Sequence, residues 1–442
     1  MTYPIYIVIN IFLLIVYLLI IKSISRVFHI FFALFIFFTV LGSLSVLYIE
    51  KGIYIVEQGQ FSQFTGAAFR LNIILIIHAL FLKLFDYVFK NHTSNIQGKI
   101  RAGFNNIQIH RGVYIIPLCI SFCILFLCFV NVIISENIPF FTEGYISRFD
   151  YLSNTILWPI LSFFGSTTSI IPILSGYVFL KSILVGNQFI RNLAIINISL
   201  YIYYIVLIGQ KFGGILFGLY YFIVPFLIYV ILTGKIYKYY KKMIVPFLVF
   251  ISLVSFLLIH HYSRYSLSQD FGGPIQFIIY RALGLQGHTW WGIDKQIFLD
   301  ESVISTNFDF NLMHMVMRTI GLPGVESAIE RGVNFTFGLY PGLILGFGPF
   351  IGIILLFFIS LFFYIHIILV LNLINKGYIM YLLGFYSYIW FYSFISIGNM
   401  ELFFEPKSLV IYFLLFIFIL YFENKKNYKG VKSENYCNYS NI

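Results

Sequence analysis

Residues 281–295 read RALGLQGHTWWGIDK, which places Arg281, His288, Trp290, Trp291, Asp294 and Lys295 in one short stretch of a chain that is otherwise 60% hydrophobic and only 10% charged. Each of these types has its own chemistry. An arginine stays charged and can hold phosphate oxygens through two parallel N–H donors. A histidine can accept a proton near neutral pH. Adjacent tryptophans offer faces for sugar rings, or they sit in the aromatic belt where a membrane meets water. The belt accounts for one tryptophan more readily than for two in a row. Gly284, Gly287 and Gly292 would let the backbone bend so that these groups converge.

The surrounding segment, 260–336, is equally polar. It adds Arg264, Arg318 and Arg331, the histidines His260, His261 and His314, and the acids Asp270, Asp300, Glu301, Asp309, Glu326 and Glu330. Four of the chain's ten arginines are here. His314 and Arg318 are four apart and share a helix face. A guanidinium beside an imidazole lowers its pKa, which favours the neutral, proton-accepting form. A cation cluster at a membrane surface suits a lipid-linked phosphate or pyrophosphate. The plain alternatives are loop charge at the headgroup level and the polar side of a surface helix.

The elements that must hold these groups follow from hydropathy. Mean hydropathy over the 442 residues is +0.91, too much apolar surface for a soluble domain to hide. About 20 consecutive apolar residues span a bilayer as a helix, and such runs recur along the chain. The predicted fold is an all-α polytopic integral membrane protein with about 11 (10–12) transmembrane helices, near 3–21, 28–49, 71–89, 113–134, 155–180, 193–209, 214–233, 244–259, 347–373, 378–397 and 408–422. The run at 3–21 has no basic residue before it and no small-residue cleavage site after it, and reads as a retained span. Residues 155–180, with Pro159 and Pro172 flanking a small hydroxyl-rich stretch, suggest either a kinked helix lining a cavity or hydroxyls bonded back to their own helix.

The connections sort by charge. One set carries Lys22, Arg26, Lys90, Lys99, Arg101, Arg111, Lys181, Arg191, Lys235, Lys238, Lys241, Lys242, Lys376, Lys425, Lys426, Lys429 and Lys432, with Glu423 and Glu434 as its only acids. The positive-inside rule places this set in the cytoplasm. The C-terminus is then inside, the N-terminus outside, and 260–336 is one large outer-face loop. A structureless loop of that length is unusual, and short helices are expected in it: one starting near Pro274, one ended by Gly321 and Pro323, and a turn or two at 325–330. The chain divides into an N-terminal bundle of about eight spans (1–259), the periplasmic loop (260–336), the C-terminal spans (337–422) and a basic cytoplasmic tail (423–442).

The net charge of +11 is then a topology signal plus attraction to anionic lipid heads, with no nucleic acid implied. The basic, tyrosine-bearing KIYKYYKKM at 235–243 reads as an inner-surface anchor. Cys119, Cys123, Cys128 and Cys437 form no disulfide framework, and no metal-ligand spacing or cofactor motif stands out. Lys83 and Asp86, three apart within a span, can neutralise each other. So few ionisable groups in the spans weigh against an ion-coupled carrier.

In this setting the chain resembles the Wzy-type O-antigen or polysaccharide repeat-unit polymerases of bacterial envelopes. These are polytopic, rich in Phe, Ile and Tyr, and carry large outer loops. Some members have an arginine, ten residues and then a glycine in those loops. Here Arg281 stands in that relation to Gly292, and Arg331 to Gly342. The stretch FTFGLYPGLILGFGPFIGIILLF resembles the glycine-rich start of a late span in such proteins; Gly338, Gly342 and Gly346 repeat every four residues, a spacing that permits close helix packing.

The resemblance implies a glycosyltransferase of the bacterial inner membrane, metal-independent and without a cofactor. It would pass a growing glycan from undecaprenyl pyrophosphate to the sugar of a second lipid-linked repeat unit on the periplasmic face. The leaving group is a pyrophosphate, which fixed cations can stabilise in place of a metal. Arg281, Arg318 and Arg331 are the candidates for that role. His288 is the first candidate base, His314 the second, with Asp294 and Glu326 as alternatives, and Trp290 and Trp291 would bind sugar. Expected partners are the lipid-linked oligosaccharide, membrane lipids and, as a candidate, a chain-length regulator protein. Rival readings are an O-antigen ligase, which passes glycan to lipid A core, and a lipid-linked oligosaccharide flippase.

Overall fold

The computed structural model describes residues 3–105, 112–142, 148–158, 161, 167–209, 212–234, 252, 255–264, 269–299, 309–330, 335, 337–374, 378–406, 408–410, 412–414 and 417. Helix α1 is Tyr3–Lys22 and α2 is Arg26–Ile49. A small hairpin follows, β1 Tyr54–Ile55 and β2 Gln60–Phe61, paired antiparallel and turning at Gly59, whose φ of +63° suits glycine. The chain continues through α3 Ala67–Val88, α4 Lys90–Asn105, α5 Gly112–Ile133, α6 Arg148–Ser153, α7 Thr167–Val185, α8 Gln188–Leu207 and α9 Phe212–Thr233. Four short helices come next: α10 Pro274–Leu283, α11 His288–Phe298, α12 Leu312–Thr319 and α13 Val325–Glu330. The last elements are α14 Leu339–Leu373, α15 Tyr378–Ile397 and α16 Glu401–Phe404.

Among the described residues, 8 helices are long and apolar enough to cross a membrane: α1, α2, α3, α5, α8, α9, α14 and α15. The protein is therefore a multi-pass, all-α membrane protein. The expected span at 244–259 lies mostly outside the described residues, as do most of 408–422 and all of 423–442. The expected span at 155–180 differs in form. Residues 154–157 are turns, held where the Asn131 side chain donates to Thr155 Oγ1 and accepts from Leu157 N. The apolar helix there is the shorter Ile170–Val185, within α7.

Helix α14 is two helices joined at a kink. Gly348 has φ +75° and ψ 167°, and Pro349 follows it. The part before the kink is buried on every side from Leu339 to Leu345. Its glycines are spacers. A Cβ on Gly338 would collide with the Ile397 carbonyl, and one on Gly342 would lie 2.5 Å from Leu312 Cβ. Backbone bonds draw the ends of this region together: Leu312 N donates to Gly398 O, Met400 N to Phe310 O, and both Phe337 N and Gly338 N to Ser396 O.

Several polar groups inside the bundle pair with one another, as an apolar solvent favours. Asn72 donates to Asn10 Oδ1 and accepts from Ser43, and Ser121 and Ser175 both donate to Asn197 Oδ1. Asp86 does not pair with Lys83 as the sequence suggested. Its carboxylate accepts from Tyr364 OH at 2.6 Å and from Ser25 N at 3.2 Å, while Lys83 is exposed. The partners that reach it come from other helices, which a spacing rule within one helix does not see.

Candidate functional site

The short helices between α9 and α14 do not lie loosely over the bundle. α10 and α11 pack on α2; α11 also packs on α3 and α14, and α12 packs on α14. Together with the 53–62 hairpin they form a cap at one end. The sequence expectations near Pro274, Gly321 and 325–330 are met by α10, with Pro274 in its first turn, by α12 and by α13. The opening stretch, expected as a bent lip, is largely helix: α11 starts at His288. Gly284 and Gly287 have ordinary negative φ. Gly287 and Gly292 are needed for room instead. A Cβ on Gly287 would sit 2.6 Å from Val46 N, and one on Gly292 would sit 2.8 Å from Ile320 and 2.9 Å from Gln58.

Trp290 and Trp291 are core residues, 1% and 0% exposed. Trp290 Nε1 donates to Ala67 O and Trp291 Nε1 to Gln63 O, each at 3.0 Å. Neither ring has a free face for a sugar in this structure, which corrects the stacking expectation. Two adjacent tryptophans bury a large apolar area and tie the start of α3 to α11 with their N–H groups.

His288 is also sealed. Nδ1 meets Leu285 O, so it carries the proton, and buried Nε2 has no partner. The Phe335 ring packs nearly perpendicular to the imidazole, with centroids 4.7 Å apart. Burial pushes its pKa below the ordinary value, against the pull of the Leu285 carbonyl and Glu57. Its tautomer is that of a base, but its acceptor nitrogen is closed off in this structure.

Asp294 is buried against α3. Arg70 grips it with Nε to Oδ1 at 2.7 Å and Nη2 to Oδ2 at 2.6 Å, and Thr65 Oγ1 lies 3.3 Å away. Burial raises its pKa while Arg70 draws it back down. A carboxylate held in this way is a strut and not an open base. Next to it, Glu50 caps α3, accepting from the backbone N–H groups of Thr65, Ala67 and Ala68 and from the hydroxyls of Thr65 and Tyr6.

A second cluster lies on α12 and α13. Arg318 Nη1 binds Asp309 at 2.7 Å, and its Nε and Nη2 bind both oxygens of Glu326 at 2.9 and 3.2 Å. Two candidates from the sequence, Arg318 for pyrophosphate and Glu326 for the base, thus occupy each other, and Glu326 is held below its ordinary pKa by Arg318. His314 accepts from Asn311 Nδ2 at 2.9 Å, with Nδ1 at 3.9 Å from Asp309. Its pKa is lowered, as expected, but chiefly by burial, with Arg318 a smaller contribution.

Arg281 stands apart. It is half-buried, and its guanidinium lies 5.8 Å from the Tyr262 ring and 5.7 Å from the Phe277 ring. It forms no ion pair with a described carboxylate. Arg331 lies outside the described residues. No sequence motif singles out the hairpin, where Glu57 accepts from Tyr280 OH at 2.9 Å and Val56 N donates to the same hydroxyl. The charges of Glu57 and Arg281 both act on Tyr280 and on His288. Glu57 could have been found as an acid between two spans that the charge rule sets on the same side as 260–336. Among the described residues no three His, Cys, Asp or Glu side chains gather as a metal site would require.

A family of unknown function (DUF6418) matches residues 310–412. That segment begins at Phe310, whose carbonyl accepts from Met400 N, and takes in α12 through α16 with the glycine-spaced start of α14. No curated protein and no solved structure matches the chain.

Proposed function

We propose that this chain is an O-antigen or related surface-polysaccharide polymerase of the bacterial inner membrane, joining undecaprenyl-pyrophosphate-linked repeat units on the periplasmic face, with its C-terminus in the cytoplasm. The supporting observation is Arg281: a half-buried guanidinium braced on two aromatic rings, without a carboxylate among the described residues, in a folded cap at one end of a multi-pass bundle. Such a cation is preset for a pyrophosphate leaving group and loses no acidic partner when the lipid arrives. Arg318, already bound to two acids, serves the fold of the cap instead. The acceptor hydroxyl attacks the anomeric carbon of the growing glycan. The bond from that carbon to the pyrophosphate oxygen breaks, and its electron pair leaves with the phosphate.

The test is the lipopolysaccharide pattern of a deletion strain. A core bearing a single repeat unit is the expected outcome. Bare core with lipid-linked polymer accumulating would identify an O-antigen ligase instead, and loss of lipid-linked units from the outer face would identify a flippase. Orientation is tested separately by labelling single cysteines with an impermeant maleimide. Glu330→Cys on the exposed side of α13 should react from outside, and Ser94→Cys on α4 should not; the reverse pattern would contradict the placement of the cap.

A further inference from the structure

We infer that Glu57 takes the proton of the acceptor hydroxyl, held in place by Tyr280 on the same short helix as Arg281. This rests on the glycosyl-transfer reading above and names the base for it. The cap's other described carboxylates argue for Glu57 by what they already do. Glu50 is spent on the N-terminus of α3, Asp294 on Arg70, and Asp309 and Glu326 on Arg318. Asp270 and Glu330 are exposed. Glu57 is half-buried, forms no ion pair among the described residues, and has one oxygen, Oε2, fixed by the Tyr280 hydroxyl at 2.9 Å. Its Oε1 carries no hydrogen bond from a described residue, which leaves a carboxylate with one anchored oxygen next to Tyr280, the helix neighbour of Arg281, and the charges of Glu57 and Arg281 both act on Tyr280 and His288.

The histidines are less suited. The Nε2 of His288 is enclosed, and the Nε2 of His314 is taken by Asn311. Tyr280 is itself fixed from the hairpin side, since Val56 N donates to its oxygen at 2.9 Å. That leaves its own proton directed to Glu57, which makes Tyr280 a positioning residue. In the step, the acceptor O–H proton passes to Glu57 as the oxygen bonds to the anomeric carbon. The pyrophosphate departs with the electron pair of the broken bond, and Glu57 returns the proton to water.

The experiment uses the full chain in proteoliposomes with a purified undecaprenyl-pyrophosphate-linked repeat unit. Glu57→Gln keeps an acceptor for Tyr280 but cannot take a proton, so kcat should fall by about 10²–10⁴-fold while donor binding stays within about twofold of the parent chain. Glu57→Ala should regain part of its rate when formate is added, an effect that a purely structural role would not produce. Tyr280→Phe should lower kcat less than Glu57→Gln does and leave KM unchanged. Transfer at the parent rate by Glu57→Gln would overturn the proposal and leave the glycosyl-transfer reading standing. If the folded parent chain transfers nothing, both fall.

Discussion

Arg70 and Asp294, 224 residues apart in sequence, form a two-pronged ion pair with both N···O distances at or below 2.7 Å. The pair joins the first turn of α3 to α11, while Gln58 Nε2 donating to His288 O and Lys295 Nζ donating to Gln60 Oε1 hold the 53–62 hairpin against the same helix. Asp294 is fully enclosed, whereas the Arg70 side chain keeps 31% of its surface in solvent.

Removing one partner should therefore cost more than removing both. Arg70→Ala leaves a buried carboxylate unpaired, a change that costs about 3–5 kcal/mol in buried pairs; partial exposure of Arg70 puts the expected value at about 3 kcal/mol. Adding Asp294→Asn to that variant should recover part of the loss. Thermal unfolding of the purified protein in detergent measures both, and additive losses would show that the two residues are not coupled.

The tryptophans should report on folding and not on chain length. Trp290→Phe keeps most of the apolar volume but removes the indole donor from the Ala67 carbonyl, which should cost about 0.5–1.5 kcal/mol. Polymer made by the folded fraction should have the parent length distribution. Shortened chains from a variant of undiminished stability would restore the sugar-stacking role.

Much of this arrangement is legible in the sequence, for identifiable reasons. The spans are long uninterrupted apolar runs, and α10 and α12 are punctuated by Pro274 and Gly321. The stretch 288–298 has no such run: its helix exists because Trp290 and Trp291 find Ala67 and Gln63, more than 220 positions away. The same distance hides the pairing of Asp294 with Arg70. Arg318 and Glu326 illustrate a different gap. Their types suggest phosphate- and proton-handling groups, but only the fold of the 309–330 segment reveals that they neutralise each other. Glu57 looks like any loop acid until Tyr280 is brought to it.

Buried His288 and half-buried His314 should make stability depend on pH. His288 and His314 both have pKa values lowered from 6.5 by burial, so the unfolded chain binds protons that the folded one refuses. Their contribution is present above about pH 6.5 and is lost as pH falls toward the folded-state values, at up to about 1.4 kcal/mol per pH unit for each histidine. The unfolding temperature should drop between pH 7 and pH 5, and His288→Gln should flatten that slope. An unchanged slope would mean that His288 is open to water and able to charge in the fold.

The central claim is that Arg281 holds the pyrophosphate of a lipid-linked glycan during transfer, and it is tested most directly by reconstitution. Purified protein in proteoliposomes, given an undecaprenyl-pyrophosphate-linked repeat unit, should produce a ladder of lengthened glycans. Arg281→Ala should insert and unfold like the parent yet give no ladder. Arg281→Lys, which keeps the charge but loses the two-pronged grip, should give a faint one. A full ladder from Arg281→Ala, or none from the folded parent protein, would contradict it.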